Sequence, residues 1–256
     1  MKITMTVIQM VNDNGGHVIA LICDCLRTNI KFFSLFPGFN PERLWSVDHP
    51  LKESHRLYLL IDTVHILKSI RNNWITEKDQ KLCLGDSSSP GDWHHTVNLY
   101  EAERFSLIKN TTLTRLAVSP SPMKRQSVSL VLKVVNDKTI AALRSFRDDS
   151  VKPTVNTLCY ILEWWNTVNV KSVGEAQRFN DASRSAVLSP QCEAIDRLNK
   201  HATYFSQGSS NNGRRRVACL TIDTHRALYQ TTMGLLHLSR DLLQQFDFSY
   251  VLLQAG

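Results

Sequence analysis

The segment LLIDTVHILKSIRNNW, residues 59–74, decides the fold of this chain. It begins inside an apolar run over Arg56–Ile61, which is typical of a buried strand. The run ends at Asp62, and apolar residues then recur at helical spacing as far as Trp74. A buried strand that leads directly into a helix predicts an α/β arrangement at this point.

The residues before this segment repeat the pattern. Residues 3–13 have helix-like apolar spacing, and the apolar run Val18–Cys23 has the length of a strand buried on both faces. Asp24 follows that run, and Arg27–Phe36 returns to a helical rhythm before Pro37-Gly38 interrupts it. Helices and strands thus alternate, and this order predicts an α/β segment over residues 1–75.

Beyond Trp74 no strand is predicted until the end of the chain. Apolar spacing predicts one helix over residues 128–143 and another over 155–168. The polar stretches 85–91 and 206–216 predict loops, the second of them basic.

The end of the chain returns to the earlier pattern, with a helix predicted over 223–245 and a strand over 248–253. We therefore predict an α/β fragment interrupted by a mostly α-helical insertion. Its parts are residues 1–75, 76–220 and 221–256.

Composition restricts the class of protein. Hydrophobic residues make up 43% of the 256 residues, which supports a packed core and excludes global disorder. The six cysteines contain no CxxC pair, so no zinc site is expected, and without a secretory signal they predict reduced intracellular thiols. No apolar run approaches the length of a membrane span. The net charge of +7 suits a polyanion such as DNA, but a solvated basic surface also explains it.

Two aspartates follow the predicted strands and are candidates for chemistry. Asp24 stands where open α/β sheets place their sites, and it is either a carboxylate of such a site or the N-cap of the next helix. Asp62 has the same placement, with His65 on the same helix face. Lys68 and Arg71 continue that face as a cationic stripe. Two interpretations compete: a structural cap on a helix whose basic face contacts DNA, or a metal-ligand pair of Asp62 and His65.

These segments resemble P-element-type DNA transposases and their THAP-containing relatives. The resemblance rests on residues 59–74, on the D-x-x-x-x-N spacing of Asp24 and Asn29, and on Tyr250–Leu253, which matches a Y-[VI]-L-[TS] strand. It implies a nuclear, DNA-binding protein with an RNase H-like core. In that core a cluster of carboxylates holds two Mg²⁺ ions, and Asp24 matches the second catalytic, metal-binding position. The cap interpretation of Asp62 is therefore favoured.

The resemblance also implies that the insertion binds GTP. The family's nucleotide-contacting positions fall on Lys109, on Val128 and, in the motif W-[WF]-D-x-x-N, on Asn166 and Asn169. Asn166 stands where the family usually has Asp. Because an amide has a single acceptor oxygen, we expect weakened GTP binding, which Asn166→Asp should strengthen.

Relatives place a first carboxylate upstream of the Asp24 position and a third, a Glu, just after the strand that matches Tyr250–Leu253. Neither is found in this sequence, and neither is the family's zinc finger. We therefore expect a truncated, catalytically inactive fragment with residual GTP and DNA binding. Three alternatives remain open. The chain is an interaction or repressor module that docks on full-length transposases, a piece of an active enzyme, or an unrelated nuclease that uses Asp24, Asp62 and either Glu163 or Asp223.

Overall fold

The structure is a computed structural model that describes residues 1–85, 89–146, 148–207, 216–217 and 219–254. Its helices are α1 (Lys2–Asp13), α2 (Arg27–Phe33), α3 (Thr63–Thr76), α4 (His94–Glu103), α5 (Arg115–Val118), α6 (Val128–Leu132), α7 (Asp137–Arg144), α8 (Lys152–Thr167), α9 (Glu175–Phe179), α10 (Glu193–Gln207) and α11 (Ile222–Gln245). Its strands are β1 (Ala20–Cys23), β2 (Ser46–Asp48), β3 (Arg56–Ile61), β4 (Lys81–Leu82), β5 (Gly91–Asp92), β6 (Arg216–Val217) and β7 (Leu220–Thr221).

The main sheet has the strand order β1-β3-β2. β1 and β3 run parallel in a register that sets Cys23 beside Ile61, and β2 pairs antiparallel to β3. Both predicted strands are thus confirmed. β3 is buried along most of its length, whereas Ile22 on β1 is 51% exposed. The expectation that the first strand is buried on both faces is therefore wrong, because β1 lies at the edge of the sheet.

Helix α11 packs on β3 and supplies hydrogen-bond partners to its backbone. Gln230 Nε2 donates to the carbonyl oxygen of Leu59 at 2.9 Å. The Thr231 hydroxyl accepts the N–H of Ile61 at 2.8 Å and donates to the carbonyl oxygen of Ile61 at 3.0 Å. β2 pairs only with residues 56–58 of β3. These two side chains therefore take the place of a strand where β2 has ended, so that buried backbone groups keep their partners.

The helices predicted over 155–168 and 223–245 are confirmed as α8 and α11. The single helix predicted over 128–143 is wrong, because the chain forms α6 and α7 instead. Asn136 separates them. Its backbone is extended, and its side-chain oxygen accepts the N–H of Thr139 at 3.0 Å, which starts a new helix.

Two further predictions about the later part of the chain need correction. Residues 248–253 do not form a strand; Val251 makes an isolated bridge with Val187, and Gln254 makes one with Asn169. The short hairpins β4–β5 and β6–β7 were not predicted. Of the predicted loops, residues 86–88 and 208–215 lie outside the described residues.

The buried side chains of the α/β and helical parts form one continuous core. Trp74 on α3 packs edge-on against Trp93 with ring centroids 5.2 Å apart, and both side chains are 1% exposed. The predicted boundary near residue 75 thus passes through shared packing, and the division into domains stays a prediction. Among the described residues, no helix has the length and apolar character that a membrane crossing requires.

Candidate functional site

The carboxyl ends of β1 and β3 bring Asp24 and Asp62 to the same edge of the sheet. The two strands are parallel and in register, and the N–H of Asp62 donates to the carbonyl oxygen of Cys23 at 2.8 Å. The two aspartates therefore follow neighbouring strand ends, as the sequence predicted.

Asp24 is held by its own turn. Its Oδ1 accepts the side-chain amide of Asn29 at 2.5 Å and the N–H of Leu26 at 3.2 Å, which is an Asx turn. The alternative in which Asp24 caps the next helix is wrong, because α2 begins at Arg27 and has Leu26 as its N-cap. The Asp and Asn of the D-x-x-x-x-N spacing are thus in direct contact.

Asp62 caps α3, as predicted. Its Oδ1 accepts the N–H of Val64 at 2.8 Å. His65 lies beside it, with Nε2 3.8 Å from Asp62 Oδ2. The carboxylate is therefore committed mainly to the helix start.

The predicted DNA-facing stripe on α3 is wrong for Lys68 and Arg71, because these residues are only 8% and 2% exposed. The 3₁₀ turn over residues 123–126 packs against the helix beside Arg71. Arg71 Nη2 donates to the carbonyl oxygen of Arg125 at 2.8 Å. Burial and the nearby Arg125 guanidinium lower the pKa of Arg71 to about 10. Arg71 therefore joins two parts of the core.

The donor set does not fit a magnesium site. No group of three or more His, Cys, Asp or Glu side chains is arranged to hold a metal ion in the part of the chain that the structure describes. Asp223 pairs with Arg27 at 2.7 Å, and Glu163 pairs with Lys200 at 3.3 Å. The alternative nuclease trio is therefore not assembled around Asp24.

The structure brings together some of the residues that were predicted to contact a nucleotide. Asn166 and Asn169 both line a cavity of about 430 Å³ at the end of α8. Val128 lies one helical turn before Leu132, which also lines this cavity. Lys109 is not among the lining residues and is exposed between α4 and α5. The structure thus unites the two asparagines, sets Val128 nearby and leaves Lys109 outside.

Asn166 has one satisfied and one unsatisfied polar atom. The residue is 3% exposed, and its Nδ2 donates to Asp181 Oδ2 at 3.0 Å. Its Oδ1 is buried and has no hydrogen-bond donor among the described residues. A buried acceptor without a donor costs about 1–3 kcal/mol, so a ligand that offers an N–H group would be stabilised here.

Sequence reasoning missed two carboxylates near Asn166: Glu175 lines this cavity, and Asp181 accepts the bond from the Asn166 amide. Ser183 donates its N–H to Asp181 Oδ1 at 2.9 Å, and Arg184 Nε donates to Oδ2 at 3.2 Å. Burial alone would raise the pKa of Asp181, but the bonds from Ser183 and Arg184 outweigh it and lower that pKa. Arg184 Nη1 also reaches Glu175 Oε1 at 3.3 Å, and Glu175 Oε2 accepts the N–H of Lys171 at 2.7 Å.

These residues lie in short elements between α8 and α10, where apolar periodicity is too brief to predict structure. The sequence did place oppositely charged residues close together in this segment, but such clusters are also common on solvated surfaces and do not by themselves indicate a site.

Comparison with known proteins gave no match to a protein-family model and none to a curated protein. One solved structure, the Drosophila P element transposase strand transfer complex, is similar to this chain with a TM-score of 0.80 at 15% sequence identity. The match covers 97% of this chain and 55% of that chain. The chain therefore has the mixed α/β fold of a P-element-type transposase over about half the length of that protein.

Proposed function

We propose that this chain is a transposase-like module of the P-element type that binds a guanine nucleotide in the cavity around Asn166. In this proposal residues 76–220 are an insertion into an RNase H-like core. The module binds DNA in the nucleus and does not cut DNA by itself. The observation that carries the nucleotide proposal is the buried, unpaired Oδ1 of Asn166.

The polar groups of the cavity suit a guanine base. The Watson–Crick edge of guanine presents N–H donors, and the cavity offers acceptors in Asn166 Oδ1 and the buried carboxylate of Glu175. A carboxylate acceptor makes a charge-assisted bond that is roughly twice as strong as a neutral one. Glu175 and Asp181 thus supply negative charge beside the position where Asn166 replaces the family's Asp.

The proposal that the chain does not cleave DNA rests on how its sheet-end carboxylates are used. Asp24 is held by Asn29, Asp62 caps α3, and Asp223 is paired with Arg27. Phosphodiester cleavage by this class of site needs two Mg²⁺ ions held by several carboxylates. We expect that the purified chain with Mg²⁺ or Mn²⁺ leaves supercoiled plasmid intact. Metal-dependent nicking that disappears in Asp24→Ala would overturn this part.

Nucleotide binding is tested by exchanging the two groups at 166 and 181. Asn166→Asp alone places a second carboxylate 3.0 Å from Asp181, whereas Asn166→Asp with Asp181→Asn keeps the bond between them. We expect the double variant to bind GTP about tenfold more tightly than the wild type by calorimetric titration, and the single variant to gain less. Asn156→Asp, on the exposed face of α8, is the matched control. GTP binding by neither the wild type nor the double variant would overturn the proposal.

DNA binding is supported by the net charge of +7 and not by α3, whose basic face is buried. A duplex of arbitrary sequence should bind with an affinity that falls steeply as salt is raised, because phosphate contacts release counterions. Fluorescence anisotropy of a labelled duplex measures this. An affinity that does not respond to salt would contradict it.

A docking function is favoured by one further observation. Ile3, Val7 and Met10 form an apolar stripe on α1 and are 82%, 50% and 59% exposed, on the same part of the chain as the open edge of β1. Under this second proposal the chain docks on a related transposase. Co-purification with a full-length relative, lost in Val7→Asp, would support it; unchanged capture by Val7→Asp would not.

A further inference from the structure

A second cavity, of about 400 Å³, lies on the other side of Asn166. Its walls come from α7, α8, α10 and the 3₁₀ turn over residues 182–184. Asn166 and Asp181 line it, and Asn166 also lines the first cavity. Asp137 and Leu162 also line both cavities, so the two cavities adjoin along three side chains.

Arg197 on α10 brings unsatisfied donors to this second cavity. Its Nη1 pairs with Glu193 at 3.4 Å, and its side chain is 14% exposed. Its Nε and Nη2 are buried and have no acceptor among the described residues. Guanidinium donors buried without acceptors are costly, and a ligand rich in acceptor oxygens would remove that cost.

Arg144 at the end of α7 adds a second guanidinium to the same wall. Its Nη2 donates to Cys159 Sγ at 3.2 Å, and a thiol is a weak acceptor. Two of the carboxylates that line the cavity have cationic partners: Glu163 pairs with Lys200, and Asp181 pairs with Arg184. The third, Asp137, is exposed at the first turn of α7. The cavity therefore combines one buried, partly unsatisfied guanidinium and one exposed guanidinium with three carboxylates, two of which have cationic partners.

We infer that this second cavity is an oxyanion site that takes phosphoryl groups, with Arg197 as its main ligand and Arg144 as its second. The planar fork of a guanidinium matches two phosphate oxygens at once. The inference rests on the proposed function where the phosphoryl groups belong to a nucleotide. The base would then lie at the carbonyl oxygen of Asn166, and the phosphates would lie across that residue. Free inorganic polyphosphate has the same chemistry and is the other source.

The test titrates three probes, GTP, guanosine and inorganic tripolyphosphate, against the wild type and Arg197→Gln. We expect Arg197→Gln to weaken GTP and tripolyphosphate binding about tenfold or more and to leave guanosine binding unchanged. Arg144→Gln should weaken the same two probes by a smaller factor, because Arg144 is exposed. Arg104→Gln, which removes a surface partner of Glu101, is the control and should change neither probe.

The outcomes separate this inference from the proposed function. GTP binding that is equally tight in the wild type and Arg197→Gln overturns the oxyanion site and leaves the nucleotide proposal standing. Arg197-dependent binding of tripolyphosphate with no binding of GTP or guanosine supports the oxyanion site and removes the nucleotide. Should Arg197→Gln fail to fold, Arg197→Lys keeps the charge without the fork. A partial loss of tripolyphosphate affinity is then expected, and wild-type affinity would overturn the inference.

Discussion

The two aspartates at the end of the sheet differ in their hydrogen bonding from three polar side chains on the inner side of α8 and α10. At the sheet end, Asp24 and Asp62 are bonded to neighbouring groups of their own chain. On α8 and α10, the carbonyl oxygen of Asn166, two guanidinium nitrogens of Arg197 and both ring nitrogens of His201 are buried without partners among the described residues. The two aspartates at the sheet end are therefore used for structure, whereas these three side chains of α8 and α10 keep polar atoms that a ligand could satisfy.

Thr231→Val should have the largest effect, because it removes a satisfied group from the sheet. The backbone N–H and carbonyl of Ile61 both bond to the Thr231 hydroxyl, whose residue is fully buried. We expect the free energy of unfolding to fall by about 2–3 kcal/mol in urea denaturation. Thr203→Val, at an exposed position of α10, is the control and should change it by less than about 0.5 kcal/mol. A loss in Thr231→Val no larger than in this control would mean that the sheet does not depend on the Thr231 hydroxyl.

The variant His201→Phe tests how the buried, unpartnered His201 makes the free energy of unfolding depend on pH. Burial, with help from Lys200 and Arg197, lowers the pKa of His201 to about 3. The unfolded chain, with a His pKa near 6.5, therefore takes up the proton first. The stability contributed by neutral His201 is fully present above pH 6.5 and is lost as the pH falls towards 3. Below about pH 6 the wild type should lose roughly 1.4 kcal/mol per pH unit more than His201→Phe. Parallel pH–stability curves for the two proteins would contradict this.

Asp62→Ala, at the end of the sheet, should lower the stability by a moderate amount. The variant removes the acceptor for the N–H of Val64 at the start of α3, which we expect to cost about 1 kcal/mol. Asp62→Asn keeps a capping oxygen and should stay close to the wild type in thermal denaturation. If the two variants lose equal stability, the charge beside His65 matters more than the cap.

Lys109→Gln should have the smallest effect. Lys109 is exposed and lies outside the residues that line the Asn166 cavity. We expect GTP affinity to change by less than about twofold, against about tenfold for Arg197→Gln. A tenfold loss in Lys109→Gln would mean that Lys109 contacts the nucleotide, as the family resemblance implied.

The sequence predicted those elements whose periodicity is long or uninterrupted. β3, α3, α8 and α11 lie where the apolar patterns placed them. β2 was missed because three residues are too few to show alternation, and its pairing with β3 depends on contacts far along the chain. The break at Asn136 was missed because the apolar spacing runs on across it. There the Asn136 side chain bonds both to the last carbonyl of α6, that of Leu132, and to the N–H of Thr139 in α7.

The site was predictable only where a motif named its residues. Asn166 and Asn169 were found through the W-[WF]-D-x-x-N resemblance, and they do share a cavity. Arg197 and Glu175 were not found, because each looks like an ordinary charged residue of a solvated helix until its burial is known. The prediction that Lys68 and Arg71 face DNA was wrong because their burial, too, could not be read from the sequence. Their spacing described one helix face correctly but carried no information about what covers that face.

The bonds from Gln230 and Thr231 to β3 join residues 171 and 170 positions apart in the chain. On a ribosome that adds about 5–20 residues per second, α11 is synthesised roughly 10–30 s after β3. During that time β3 lacks the side chains that bond to its backbone. Within the helical segment, α10 also packs on α11 and so completes its packing only when that helix has been made. We therefore expect the first strands to emerge early but to become protected from hydrogen exchange late, and the newborn chain to depend on chaperones during that interval.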